Sequence, residues 1–147
     1  MNTLEMAVLA LKRSERWLQG ATRALEDERW DDAVFSAQMC SEHAAKAVLI
    51  LLGIDFPKQH DVSDVFFTLK ARRDLPPDFR EQVEGICGKL AQLAAERALA
   101  GYGFEEGVGP DNFRDRAPEA IADAGSVLES CARLVERVSA DPGRPIT

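Results

Sequence analysis

The chain has 147 residues, of which 46% are hydrophobic and 29% are charged, as expected for an ordinary globular protein with one core. Its formal net charge of −7 excludes a protein that coats DNA or an anionic membrane through bulk charge, but it is compatible with a small local RNA site. Apolar runs stay below the roughly 18 residues of a membrane-spanning helix, and the N-terminal residues lack a signal-peptide layout. We therefore expect a cytoplasmic protein without a membrane partner.

Apolar residues recur at three- and four-residue steps and predict five helices. The first covers residues 2–28, and its outer face has four basic side chains, at Lys12, Arg13, Arg16 and Arg23. A short link leads into a central helix over residues 30–53, which has two apolar faces and ends at a glycine suited to a C-cap. A short third helix follows over residues 62–72, then a fourth over 77–100 and a last over 115–139.

The spacing between these helices predicts how the chain is organised. Short links favour antiparallel neighbours, and no period-two strand pattern occurs in the sequence. The sequence thus predicts an all-α protein, an up-and-down antiparallel bundle of four long helices and one short helix. Residues 1–140 form this one domain, residues 105–114 are a glycine-rich loop, and residues 141–147 are a flexible C-terminal tail.

Residues that commonly hold metals or cofactors are sparse. The chain has an odd number of cysteines, at Cys40, Cys87 and Cys131. They are far apart in sequence and lack CxxC or Cys/His spacing, which predicts buried free thiols instead of a metal site or disulfides. The sequence has no glycine-rich phosphate loop with a lysine, no dinucleotide fingerprint and no HExxH motif. We predict no metal and no cofactor.

Several charged side chains stand out by their position. Glu42 and Lys46 are four residues apart on the central helix and are predicted to pair along its surface. Arg97 falls on the apolar stripe of the fourth helix, where it either snorkels to water or pairs with Glu42. Asp61 is a predicted N-cap, and His60 before it is expected to help close the connector.

The central helix and its connector resemble the HEPN family of helical domains. The family pattern is an A-x-x-A-x-x-A-x-E-x-x-x-K helix followed by P-K-x-H-D-L, and it is matched residue by residue at Glu42, Lys46, Pro57, Lys58, His60 and Asp61. The resemblance implies an up-and-down bundle that commonly dimerises through its central helices. It also implies a link to RNA-cleaving toxins that are often paired with a minimal nucleotidyltransferase antitoxin, although other members are described as nucleotide-binding or non-catalytic.

The nuclease members of this family have an arginine, then four to six residues, a histidine, and often a further residue and a tyrosine. Here Arg97 matches the arginine, but Tyr102 stands at the histidine position and Phe104 at the tyrosine position. Histidine can move a proton at a ribose hydroxyl, and arginine stabilises charge on the phosphate. A tyrosine side chain, with an ordinary pKa of about 10, is a poor proton shuttle at neutral pH. The motif is therefore degenerate.

Three functions are compatible with these residues. The first is a non-catalytic or weakly active HEPN homodimer that binds a nucleotidyltransferase partner, a nucleotide or RNA. The second is an active metal-independent endoribonuclease toxin that uses Arg97 with Tyr102, or with His60 or His43. The third is a purely structural helical adaptor. Glu42, Lys46, His60, Asp61 and Phe104 would support the site in the first two.

Overall fold

The computed structural model describes residues 1–140, which contain five α-helices, three short 3₁₀ turns and no β-strand. The helices are α1 (Thr3–Glu26), α2 (Trp30–Leu51), α3 (Ser63–Phe67), α4 (Pro77–Tyr102) and α5 (Arg116–Ala140). The predicted all-α bundle of four long helices and one short helix is confirmed. The predicted tail over residues 141–147 lies outside the described residues.

Helices α1 and α2 form an antiparallel hairpin. The side chain of Asn2 caps α1 by accepting a hydrogen bond from the backbone N–H of Glu5 at 2.8 Å. The chain then reverses within three residues, and Glu28 adopts a left-handed φ of 60° to make this possible. Ser14 on α1 donates from its hydroxyl to the carbonyl of Cys40 on α2 at 2.7 Å, so this buried hydroxyl has a partner across the seam between the two helices.

Helix α2 is the centre of the bundle and packs against α1, α4 and α5. Its buried residues are mostly small, and Ala33, Ala37, Ala44, Ala45 and Ala47 are fully inaccessible to solvent. Small side chains let the neighbouring helices come close, which explains how one helix can have partners on several faces. At its end, the left-handed φ of 69° at Gly53 lets Ile54 N–H reach the carbonyl of Leu49 at 2.9 Å, as predicted for a glycine C-cap.

Two segments differ from the sequence-based prediction. The third helix is split into α3 and a 3₁₀ turn over Thr68–Ala71, because an isolated short helix readily tightens at its end. The segment predicted as a loop over residues 105–114 instead lies largely in two 3₁₀ turns, Gly103–Glu106 and Pro110–Phe113. Phe113 is buried and anchors the second turn to the core.

The beginning of α5 is fixed to α4 by a partly buried ion-pair network. Arg116 donates to both carboxylate oxygens of Glu96, at 2.9 and 2.8 Å, and to Asp123 at 3.1 Å. The Arg116 Nε–H is shared between the two oxygens of Glu96, and a charge-assisted hydrogen bond is stronger than a neutral one. It therefore positions the C-terminal part of α4, where Arg97 follows Glu96 directly.

The three cysteines are free and buried, as predicted, and burial raises the pKa of Cys40 and of Cys87 to about 11. Within residues 1–140, no group of three or more His, Cys, Asp or Glu side chains could hold a metal ion. In the same part of the chain, no helix is long and apolar enough to cross a membrane.

Candidate functional site

Arg97 rests on an aromatic ring of the central helix. Its guanidinium carbon lies 4.5 Å from the centroid of the Phe35 ring, a distance typical of a cation–π contact. A Cβ atom built at Gly101, one turn further along α4, would lie 3.6 Å from the same ring. Phe35 therefore fills the space between Arg97 and Gly101 and holds the guanidinium group at the C-terminal part of α4.

The guanidinium of Arg97 has no anionic partner in residues 1–140. No carboxylate there forms an ion pair with it, and its Nε atom is buried without a hydrogen-bond partner. An arginine side chain has five N–H donors and is always charged. Arg97 is thus held in place by packing while its charge is left uncompensated.

The residues that follow Arg97 present apolar and aromatic side chains to solvent. Tyr102 is 65% exposed, Phe104 is 70% exposed and Leu99 is 43% exposed. Exposed large apolar side chains are candidates for contact with another molecule. We call the C-terminal end of α4 and the turn that follows it, with Arg97, Leu99, Tyr102 and Phe104, the Arg97 surface.

A second polar centre surrounds Glu42 on α2. The carboxylate is only 5% exposed and accepts from Lys46 Nζ at 2.9 Å, from Gln38 Nε2 at 3.1 Å and from His60 Nδ1 at 2.8 Å. Gln38 Nε2 also donates to the backbone carbonyl of His60 at 3.1 Å. Lys46 Nζ lies 5.5 Å from the Phe56 ring centroid. These contacts hold two residues of the connector, Phe56 and His60, against α2.

The carboxylate of Glu42 is stabilised in its charged form. Burial acts to raise its pKa, but the hydrogen bonds from Gln38, Lys46 and His60 outweigh burial, and the pKa lies below the ordinary value of 4.5. A carboxylate can only accept hydrogen bonds, so the His60 Nδ1 atom must be the donor to Glu42. His60 is half-exposed, and its Nε2 atom is left as the nitrogen that can accept a proton.

The predicted ion pair between Glu42 and Arg97 is wrong. Glu42 is already occupied by three donors, whereas Arg97 covers Phe35. Phe35 and Glu42 are seven residues apart on α2, which is two helical turns or about 10 Å along the axis. Periodicity places both residues on one face of α2 but cannot tell which of them an arginine on another helix will meet.

Other predicted site residues lie close to their expected contacts. Lys46 pairs with Glu42, as predicted, and His60 closes the connector through Glu42. The prediction of Asp61 as an N-cap is wrong, because α3 begins at Ser63 and its N-cap is Val62. Asp61 lies one residue earlier, and its Oδ1 accepts a hydrogen bond from the N–H of Ser63 at 2.9 Å. Gln38 was missed, although its spacing of four residues from Glu42 was the signal that could have found it.

His43 lies apart from both centres. Its Nδ1 atom contacts the carbonyl of Met39 at 2.8 Å, and its ring centroid is 6.5 Å from that of Trp17 on α1. These contacts make His43 a half-buried packing residue of the α1–α2 seam. Arg97 and Tyr102 thus lie in the C-terminal part of α4, with Phe104 in the turn after it, whereas Lys46 and His60 both contact Glu42 at a separate centre on α2.

Comparison with known proteins gives two matches. The model of the HEPN domain family matches residues 7–135. A protein of Methanocaldococcus jannaschii with the name "Putative toxin MJ1304" is 32% identical over 131 residues, which cover 86% of this chain and 86% of that protein.

Proposed function

The chain belongs to the HEPN domain family, and on this basis we propose that it is a non-catalytic or weakly active, dimeric HEPN protein that binds RNA through the Arg97 surface. Its similarity to a protein whose name contains the word toxin supports a place in a toxin–antitoxin-like system. A minimal nucleotidyltransferase is the partner that such a system would supply.

The observation that supports RNA binding most strongly is the uncompensated charge of Arg97, which two exposed aromatic residues follow in the sequence. Arginine recognises phosphate through charge-assisted hydrogen bonds, and unpaired bases stack on tyrosine and phenylalanine. Tyr102 and Phe104 are more than half exposed and follow Arg97 within seven residues. A single strand could therefore place a phosphate on Arg97 and a base on one of the two rings.

Weak or absent cleavage follows from the same residues. Metal-independent cleavage of RNA needs a group that takes a proton from the ribose hydroxyl near neutral pH. Tyr102 stands where nuclease relatives have a histidine, and Phe104 has no titratable group. The Arg97 surface supplies a positive charge and aromatic rings for stacking but no imidazole. We therefore expect the chain to bind RNA and to cleave it slowly or not at all.

An RNA-binding experiment tests the proposal. We expect a labelled single-stranded oligoribonucleotide to bind the wild-type chain and to bind Arg97→Gln about tenfold more weakly, because a charge-assisted contact to phosphate is lost. Arg73→Gln is the matched control, since Arg73 is exposed, lies before α4 and loses the same charge. Equal affinity of wild type and Arg97→Gln would contradict the proposal.

The contact between Glu42 and His60 favours a second candidate function, a metal-independent endoribonuclease. A buried carboxylate that orients a half-exposed imidazole leaves Nε2 free to exchange protons, as in many hydrolytic sites. In this case cleavage in EDTA would be abolished by both Arg97→Ala and His60→Gln. Cleavage that survives His60→Gln would remove this role for the imidazole.

A further inference from the structure

A cleft between α1 and α2 has the lining expected of an anion site. It is open to solvent, has a volume of about 240 Å³, and is lined by Arg13, Arg16, Trp17, Gly20 and Ser36. None of these residues belongs to the Arg97 surface or to the Glu42 centre.

The side chains that line this cleft are donors without matching acceptors. Within residues 1–140, neither Arg13 nor Arg16 forms an ion pair, although the chain as a whole is acidic. The Ser36 hydroxyl and the Trp17 indole N–H also lack a hydrogen-bond partner in that part of the chain, and the indole nitrogen is buried.

Shape and charge both distinguish this cleft. Gly20 has no side chain, and a Cβ atom built there would meet no atom within 4 Å, so space remains beside the two arginines. Arg13 lies 5.6 Å from the Trp17 ring centroid, which holds one guanidinium group at the rim. Four other clefts in the described part of the chain each include at least one carboxylate in their lining, from Glu26, Asp78, Glu81 or Glu129.

We propose that the α1–α2 cleft binds a terminal phosphate group, that is, a phosphate monoester. Two guanidinium groups neutralise the two negative charges of a phosphate monoester, whereas an internal phosphodiester has only one. The hydroxyl of Ser36 can donate a further hydrogen bond to a phosphate oxygen. This site is independent of the RNA-binding function proposed for Arg97.

Titration with inorganic phosphate and with adenosine monophosphate tests the site. With ¹⁵N-labelled protein, we expect saturable shifts of the Trp17 indole and Ser36 amide resonances. We expect the affinity to fall at least about tenfold in the double variant Arg13→Gln/Arg16→Gln. Lys12→Gln/Arg23→Gln is the matched control, because both residues are on α1, carry the same charge and do not line the cleft. Circular dichroism checks that both variants fold.

Two oligoribonucleotides of one sequence, with a 5′-phosphate or a 5′-hydroxyl, separate the sources of the phosphate. If wild type binds the 5′-phosphorylated RNA more tightly than the 5′-hydroxyl RNA, and this difference disappears in the Arg13/Arg16 variant, the site binds an RNA end. If adenosine monophosphate binds but the two RNAs bind equally well, the site binds a free nucleotide. The proposal is overturned if no probe binds saturably, or if the control variant loses as much affinity. If the phosphate site is overturned but Arg97→Gln still loses RNA binding and the Arg13/Arg16 variant does not, the proposed function stands.

Discussion

Among single side chains, Glu42 has the strongest predicted effect on stability. We expect Glu42→Gln to lower the free energy of unfolding by about 2–4 kcal/mol, because the change leaves Lys46 and His60 without the buried carboxylate that accepts their hydrogen bonds. Urea denaturation at pH 7 measures this loss. Glu84→Gln is the control: Glu84 pairs with Lys70 at the surface, where its removal should change stability little. Equal effects of the two substitutions would show that the Glu42 clamp is unimportant.

The pH dependence of stability should report the same carboxylate. The pKa of Glu42 is lower in the folded chain than its ordinary value of 4.5. The folded chain therefore binds a proton at Glu42 less tightly than the unfolded chain does. The stabilisation is then present above pH 4.5 and is lost as the pH falls through the folded-state pKa. The difference in unfolding free energy between wild type and Glu42→Gln should shrink as the pH falls from 7 to below 4.5. A difference that is constant across this range would contradict the assignment.

The residues of the site differ in how far sequence could predict them. Glu42 and Lys46 share one helix, and a spacing of four residues fixes their geometry without any knowledge of the fold. The contact between Arg97 and Phe35 joins two helices, and its register depends on how α4 is placed against α2. That placement follows from packing across the whole bundle, so sequence alone led to the wrong partner for Arg97.

Within the secondary-structure elements, Gly103 fixes how the chain leaves α4. A Cβ atom there would lie 2.8 Å from Val108 Cβ, which is close to the backbone and cannot swing away. We expect Gly103→Ala to destabilise the fold by about 1–3 kcal/mol. It should also disturb the adjacent Tyr102 and Phe104, and with them RNA binding. Chemical denaturation and oligoribonucleotide affinity measure the two effects.

Gly88 provides the opposite case on the same helix. A Cβ atom there would meet no atom within 4 Å, and the position lies inside α4. Gly88→Ala should therefore stabilise the fold by about 0.5–1 kcal/mol, because alanine favours helix more than glycine does. If Gly103→Ala also stabilised the fold, the local packing described for Gly103 would be incorrect.

The positions of the long helices were predictable because apolar periodicity extends over many residues in each of them. The positions of the 3₁₀ turns were not predictable. The five helices begin and end within a few residues of their predicted bounds, apart from the short third helix. The two 3₁₀ turns between α4 and α5 lack such periodicity, and glycines and a proline predicted only an irregular segment there. Burial of Phe113 orders this segment, and that is a tertiary effect.

For the whole molecule, we expect a homodimer in solution. The resemblance to the HEPN family implies a dimer, and a composite site between protomers needs two copies. Sedimentation equilibrium should give twice the chain mass of 16.2 kDa. A monomeric wild type would contradict the dimer proposal.

Binding and cleavage of RNA, measured together in EDTA, test the central claim most directly. Purified wild type and a folded Arg97→Ala variant would be incubated with the same labelled oligoribonucleotide, and bound and cleaved RNA would be measured. We predict that wild type binds the RNA with little or no cleavage and that Arg97→Ala loses the binding. Rapid cleavage by wild type that disappears in Arg97→Ala would contradict the non-catalytic assignment, and binding unchanged by the substitution would contradict the role of the Arg97 surface.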